Sequence, residues 1–299
     1  MARAQNEAAS EVDGVLNLLK PPGMTSHDVV AFVRRALGVK KAGHTGTLDP
    51  GVAGVLPVCV GRATRLAEYI AGSDKAYRAE ITFGVATDTQ DGFGEVVAEA
   101  DASHLTRGDV AYALTRFHGP IEQVPPMVSA VKVGGKRLYE LARKGVEVER
   151  EPRRVFIHRL QLLDFRPGPR PVAYIDVVCS KGTYVRTLAH DLGRFLQVGA
   201  HLSYLVRTRS GPFVLAQAAT LEELAAGKAR LLPPAAALGD MPRVTVSGRA
   251  AARVLHGVAP AVRVEHPDGT TVAVVAANGA LLALAEADGG GLRLRKVFG

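Results

Sequence analysis

Cysteine is scarce: the 299 residues hold two, Cys59 and Cys179. That excludes a disulfide framework and a cysteine-rich zinc site, and it fits a reducing compartment. No apolar run reaches the ~18 residues that a membrane span requires. Residues 1–13 carry no apolar core of the signal-peptide kind and read as a frayed tail. Several familiar signatures are missing as well. There is no GxxxxGK(S/T) loop, no GxGxxG, no His pair at metalloprotease spacing and no GxSxG elbow. What is present is a core-forming composition, 47% hydrophobic, with 37 Lys and Arg against 29 Asp and Glu, a net charge of +8. Such a chain is expected to be soluble and cytoplasmic, with a polyanion as a candidate partner.

Along the chain, strand and helix patterns alternate without a regular βαβ rhythm, which argues for an α+β fold. Ser26–Leu37 has helical spacing, with Ser26 as candidate N-cap and Gly38 as terminator. Residues 77–83 and 173–179 read as strands. Val110, Ala113, Leu114 and Phe117 mark a second amphipathic helix, and Val185 to Leu196 a third. Thr220 and Glu223 have capping-box spacing. Between residues 132 and 154 eight bases stand against four acids, a local +4. This segment reads as an excursion from the core: either a solvated loop or an arm that touches phosphates. Pro233-Pro234 and Gly239 to Pro242 mark a domain boundary. Beyond it, Asn278-Gly279 between apolar runs predicts a type I′ hairpin. The last strand alternates apolar and basic residues, so this small β module has one basic face.

The densest unusual segment is GHTGTLDP, 43–50. Its glycines permit close backbone approach, and Asp49, preceding a proline, is biased to an extended conformation. Such a loop can present a carboxylate into a cleft. Taken alone, an Asp-Pro is more often an Asx-type turn. The segment does not stand alone. GVLNLLKPPGMTS (14–26), KAYR (75–78), TDTQD (87–91) with Gly94, QVPPMVSAVK (123–132) with RLY (137–139), SKGTYVRTLA (180–189) with DLG (191–193), and LVRTRSG (205–211) occur in order around it. Together they closely resemble the motifs of the bacterial tRNA pseudouridine synthase B family, from residue 14 to about residue 213.

The resemblance implies a pseudouridine-synthase fold, with a central mixed, mostly antiparallel sheet flanked by helices. It places a catalytic domain at 14–238 with an RNA-contacting arm at about 124–154. A small β-rich PUA-like domain for RNA binding would follow at 243–299. It implies isomerisation of uridine 55 in the T-loop of tRNA, without a metal or an organic cofactor. By similarity, Asp49 is the nucleophile, Arg186 pairs with it and orients it, and Tyr77 stacks on the flipped base. Leu205 lies under the base, and His44 fills the space that the uridine vacates. Lys20 supports the loop or meets a phosphate. Thr45 and Tyr184 are substrate contacts within the matched motifs, and Lys132 and Arg143 of the arm clamp the T-loop. The partner implied is the tRNA T-arm, bound by a monomer that needs no membrane and no obligatory protein partner. Two departures from the family pattern are Leu19, where an acid often precedes the Lys-Pro pair, and Val52-Ala53, where Ala and a hydroxyl residue are common. An alternative function is an RNA-binding tRNA folding factor with secondary or no catalysis. A guide-RNA-dependent relative is expected to carry extra basic tails, which this chain lacks.

Overall fold

The computed structural model describes residues 12–299 apart from Ala130 and Arg143, and the side chains of Lys132, Arg137 and Tyr139 also lie outside the description. Of the expected N-terminal tail, 1–11 is outside it too. Asp13 is described, and it accepts a hydrogen bond from the Arg62 backbone at 2.6 Å.

The chain opens with strand β1 (Gly14–Lys20), almost wholly buried. Helix α1 (Ser26–Leu37) follows, but its N-cap is Thr25, not Ser26. The physical reason is Asp28: it stands three residues after Thr25 and closes a reciprocal capping box with it. Gly38, at φ 64°, ends the helix in the left-handed conformation. Short β2 (Ala42–His44) and fully buried β3 (Ala53–Val60) flank the GHTGTLDP loop. Then come α2 (Ala67–Ala71), β4 (Lys75–Phe83) and the hairpin β5 (Val85–Thr87) with β6 (Val96–Glu99). Helix α3 (Arg107–Thr115) stops before Phe117, which packs against the core from the following turn. Strand β7 (Gly119–Gln123) leads to the arm, with β8 (Lys132–Val133), β9 (Lys136–Arg137) and α4 (Leu138–Ala142). Strands β10 (Arg153–Arg166) and β11 (Val172–Cys179) return the chain to α5 (Val185–Phe195). After β12 (Ala200–Ser210) and β13 (Phe213–Val214), α6 (Leu221–Ala225) begins at a Thr220–Glu223 capping box, and β14 (Leu231–Leu232) closes the sheet. The C-terminal part comprises β15 (Arg243–Val246), α7 (Gly248–Leu255), β16 (Thr271–Ala276), β17 (Leu281–Asp288) and β18 (Gly291–Val297).

Ten strands form one sheet in the order β14-β1-β3-β12-β4-β11-β10-β7, with β13 beside β12 and β2 beside β3. Its one parallel junction is β3 with β12; its other pairings are antiparallel. The α+β class and the mixed, mostly antiparallel sheet therefore match the sequence reading. At the parallel junction the backbones nearly touch: a Cβ on Gly54 would stand 2.3 Å from the Arg207 carbonyl oxygen. Among the described residues no helix is long and apolar enough to cross a membrane.

Strand alternation sends side chains into two cores. Leu16, Leu18, Leu56 and Val58 face the helices, joining Val29 and Val33 of α1 and Leu188 and Leu192 of α5. Val15, Val55 and Cys59 face the other way, into a core shared with Ala273, Val275 and Leu284 of the C-terminal four-stranded sheet.

Two expectations for that sheet are corrected. Gly279, at φ 82°, is the only residue of the Asn278-Gly279 pair with positive φ. Gly279 N–H donates to the Ala276 carbonyl, and Ala276 N–H to that of Ala280, so the connection is a three-residue loop with a glycine bulge, not type I′. The basic face of β18 is also largely neutralised. Arg293 pairs with Glu286 at 3.1 Å and Asp288 at 3.2 Å, Arg295 pairs with Glu286, and Lys296 pairs with Glu68. These acids sit on neighbouring elements, where strand alternation alone does not reveal them.

Candidate active site

The GHTGTLDP loop is pinned from several directions, and it leaves the Asp49 carboxylate half-exposed. Ser26, displaced from the cap into the first turn of α1, accepts from Leu48 N–H at 2.8 Å and donates to its carbonyl at 3.1 Å. Gly23 N–H donates to the Pro50 carbonyl at 2.8 Å, and Val52 N–H to that of Asp49 at 3.0 Å. Two buried cations hold the loop ends. Lys20, fully buried, directs its ammonium at the carbonyls of Met24, Pro21 and Pro50, at 2.6, 2.9 and 3.1 Å. Burial pushes its pKa down to about 8, against the opposing pull of Asp49. With no exposed surface and its donors occupied, Lys20 is placed as a support of the loop and is out of reach of a phosphate. Arg207 reaches the loop from β12, donating to the carbonyls of Val55 at 2.8 Å and Gly46 at 3.1 Å. Asp49 itself remains 49% exposed.

Arg186 emerges from the first turn of α5, which starts after the turn at Gly182, φ 83°. The backbone at the helix start is fixed by Gln123, whose amide donates to the Tyr184 carbonyl at 3.1 Å and accepts from its N–H at 3.0 Å. The Arg186 side chain is 6% exposed. Its Nη2 lies 3.0 Å from Asp49 Oδ2 and donates to the Val128 carbonyl of the arm at 2.7 Å. Its Nη1 donates to the Thr89 carbonyl at 3.1 Å and lies 3.6 Å from Asp91 Oδ2. One buried guanidinium thus ties together the GHTGTLDP loop, the 88–94 loop and the arm. With Asp49 half-exposed, the pair's worth is chiefly geometric: it fixes the carboxylate's direction.

A cavity of about 270 Å³ opens beside this pair, lined by Asp49, Arg186, Tyr77, Leu205, Thr45 and Tyr184 among others. Tyr77 and Arg207 are register partners across β4 and β12. Burial raises the Tyr77 pKa, partly opposed by the Arg207 charge, so the ring is kept as a neutral phenol. Thr45 is buried, and its hydroxyl has no partner among the described residues. His44 stands at the end of β2, half-buried and outside the cavity lining; its Nδ1 accepts from Gly46 N–H at 3.3 Å. Burial, with His27 and Arg207, lowers its pKa and favours the neutral imidazole. A larger cavity of about 610 Å³ also borders the Asp49–Arg186 pair and shares both residues, Val52 and Leu205 with the first. Among the described residues, no group of three or more His, Cys, Asp or Glu is placed to hold a metal ion.

Six of the residues expected from sequence therefore meet in one cavity. Lys20 and His44 are not among its lining residues. Arg143 and the side chain of Lys132 lie outside the described residues. Residues that sequence reasoning passed over are Arg207, Asp91, Ser26 and Val128. Arg207 had a signal: it shares the inward phase of β12 with Leu205, a buried charge in a strand.

The comparisons with known proteins agree with one another. The family model described as TruB family pseudouridylate synthase, N-terminal domain, matches residues 34–185. That of the tRNA pseudouridylate synthase B C-terminal domain matches 186–232. A Moorella thermoacetica protein named tRNA pseudouridine synthase B is 55% identical over 254 residues, covering 83% of each chain. Its namesake from Pelotomaculum thermopropionicum is 51% identical over 254 residues, or 82% of this chain and 80% of that protein. Among solved structures, a chain of an H/ACA RNP bound to a substrate RNA containing 2′-deoxyuridine superposes with a TM-score of 0.75 at 30% identity. The match covers 96% of this chain and 85% of that one; a chain of a Cbf5-Nop10-Gar1 complex gives the same values.

Proposed function

Because the chain belongs to the TruB family of pseudouridylate synthases, we propose that it converts uridine 55 in the tRNA T-loop to pseudouridine, with Asp49 as nucleophile. Its fold is that of the pseudouridine synthases. The observation that carries the proposal is the Asp49–Arg186 pair, 3.0 Å apart, at the wall of a cavity that also holds Tyr77 and Leu205.

The reaction breaks the N1–C1′ glycosidic bond, turns the uracil and joins C5 to C1′; the C5 proton leaves to restore the ring. A carboxylate has two electrophiles within this chemistry, C1′ of the ribose and C6 of the base. Attack on either gives an ester-type or Michaelis-type adduct that collapses when the new bond forms. The Arg186 fork holds the Asp49 oxygen that is not attacking. Tyr77 and Leu205 sandwich the flat base, and the neutral His44 ring offers an apolar face to the gap left in the T-loop stack. Extrusion of a base costs a few kcal/mol, which such a substitute offsets in part. The partner is the T-arm, held by the arm around 124–154 and by a PUA-like domain at 243–299. The catalytic domain spans 14–238, and the enzyme acts in the cytoplasm as a monomer.

The test is an unmodified T-arm stem-loop incubated with the protein, followed by chemical mapping of pseudouridine. Product at the T-loop uridine with wild type and none with Asp49→Asn is the expected result. Product from Asp49→Asn overturns the nucleophile. Binding without product in either leaves a tRNA folding factor.

A further inference from the structure

Two residues in the wall of the smaller cavity, Thr45 and Ser129, carry buried hydroxyls with no hydrogen-bond partner among the described residues. A buried polar atom without a partner costs free energy, so a cavity that keeps two of them is shaped for a ligand that completes their bonds. Each is tied to a different part of the site. Thr45 precedes Gly46, whose carbonyl accepts from Arg207, the register partner of Tyr77. Thr45 therefore belongs with the ring that stacks on the base. Ser129 lies in the arm and is 5% exposed. It follows Val128, whose carbonyl accepts from Arg186 Nη2 at 2.7 Å. The same nitrogen lies 3.0 Å from Asp49 Oδ2, so Ser129 belongs with the carboxylate. Its backbone is fixed as well. Ser129 N–H donates to the Met127 carbonyl at 3.0 Å, and Arg150 Nη1 donates to that of Pro125 at 3.2 Å. Of these consecutive arm residues, Val128 lines the larger cavity and Ser129 the smaller.

We infer that the Ser129 hydroxyl binds the ribose 2′-hydroxyl of the target uridine, and so selects RNA over DNA at that position. The inference rests on the proposed function, in which Asp49 attacks C1′ or C6. Both atoms are bonded to N1, so the part of the nucleoside beside the carboxylate is its glycosidic bond. C2′, which carries the hydroxyl, is bonded to C1′. The chemistry of the two groups matches. A serine hydroxyl donates one hydrogen bond and accepts others, and so does the 2′-hydroxyl, the group that marks RNA. Their pairing needs no charge, which suits a wall where Arg186 is already committed to Asp49, Val128 and Thr89. A target lacking the 2′-hydroxyl leaves Ser129 buried and unpaired, and a site built to bond a hydroxyl discriminates against the analogue without it. One guanidinium places both Ser129 and Asp49, so recognition of the sugar and aim of the carboxylate are set together.

The experiment crosses protein and RNA changes, read as Kd by fluorescence anisotropy. Asp49→Asn protein is the background, so that the target stays unmodified. The T-arm stem-loops carry uridine or 2′-deoxyuridine at the target position. Added to the background are Ser129→Ala, which removes the hydroxyl, and Ser129→Thr, which keeps it. One hydrogen bond corresponds to about a threefold to tenfold change in Kd. The background protein should prefer the uridine stem-loop by about that factor. Ser129→Ala should lose the factor on uridine and bind the two RNAs alike, and Ser129→Thr should keep the preference. Equal losses on both RNAs overturn the inference, as does unchanged binding of Ser129→Ala to the uridine stem-loop. Urea unfolding of the free protein is a second readout. Ser129→Ala should be no less stable, because the hydroxyl it removes has no partner in the protein. A lower midpoint would make the hydroxyl structural and overturns the inference too. Pseudouridine yield from wild type is scored separately. No product overturns the proposed function, whereas product without the Ser129 coupling overturns only the sugar contact.

Discussion

Lys20→Met is the sharpest perturbation of the GHTGTLDP loop, because it keeps the length of the side chain and removes its charge. Lys20 spends three N–H bonds on the carbonyls of Pro21, Met24 and Pro50. Its folded pKa of about 8 lies below its ordinary 10.5, a difference worth about 3 kcal/mol against the charged form. A depressed lysine is a penalty in the folded state that is fully present below pH 8, where both folded and unfolded chains are protonated. The penalty is relieved between about pH 8 and 10.5, where the unfolded chain binds more protons. The stability of wild type relative to Lys20→Met should therefore rise by up to about 3 kcal/mol across that window, as read by urea titration at each pH. Activity should move the other way. Above pH 8 the amine loses one of its three donors and slackens its hold on Pro50, the neighbour of Asp49. Wild-type turnover should fall through pH 8, and Lys20→Met should be about tenfold to a hundredfold slower at pH 7 with that alkaline limb absent. Release of the C5 hydrogen from isotopically labelled tRNA measures both. A variant that keeps the wild-type rate, or keeps the limb, refutes the reasoning.

Two further outcomes follow from the geometry. Arg186→Lys keeps a positive charge but cannot span Asp49, Val128 and Thr89 at once, so the single-turnover rate should drop about a hundredfold, the worth of one or two charge-assisted bonds; a loss under threefold would show that the fork is not needed. Replacing Arg293 and Arg295 of β18 with alanine should leave the salt dependence of RNA binding unchanged, because Glu286 and Asp288 already neutralise them; a log–log salt slope that falls by about one per arginine removed would instead place phosphates on that strand.

The sequence was most legible where function is written in contiguous motifs. Asp49, Tyr77, Arg186, Leu205, Thr45 and Tyr184 come from four separate segments, and they line a single cavity. It was least legible where the partner of a residue lies across the fold. Nothing in the β18 pattern reveals Glu68, some 230 residues earlier, beneath Lys296. Asp91 sits inside a recognised motif, yet its position opposite Arg186 depends on the 88–94 loop lying against β12, through the Asp91–Leu202 bridge. Thr25 and Ser26 offered two adjacent hydroxyls for one cap. Asp28 decides between them, and the hydroxyl left over becomes a staple for Leu48.

The core shared by Val15, Val55 and Cys59 with Ala273, Val275 and Leu284 joins segments more than 200 residues apart in sequence. During synthesis, the rear face of β1 and β3 is made well before β16 and β17 and must wait for them before its covering is complete. Strand β1 also waits for β14, through the Val15–Leu232 pairing. Contacts of such long sequence separation form late and slowly. A nascent chain halted before β16 would carry a complete GHTGTLDP loop above a partly uncovered apolar sheet, a species prone to aggregation. Maturation of the protein is thereby tied to β16 and β17, far in sequence from every group that lines the smaller cavity.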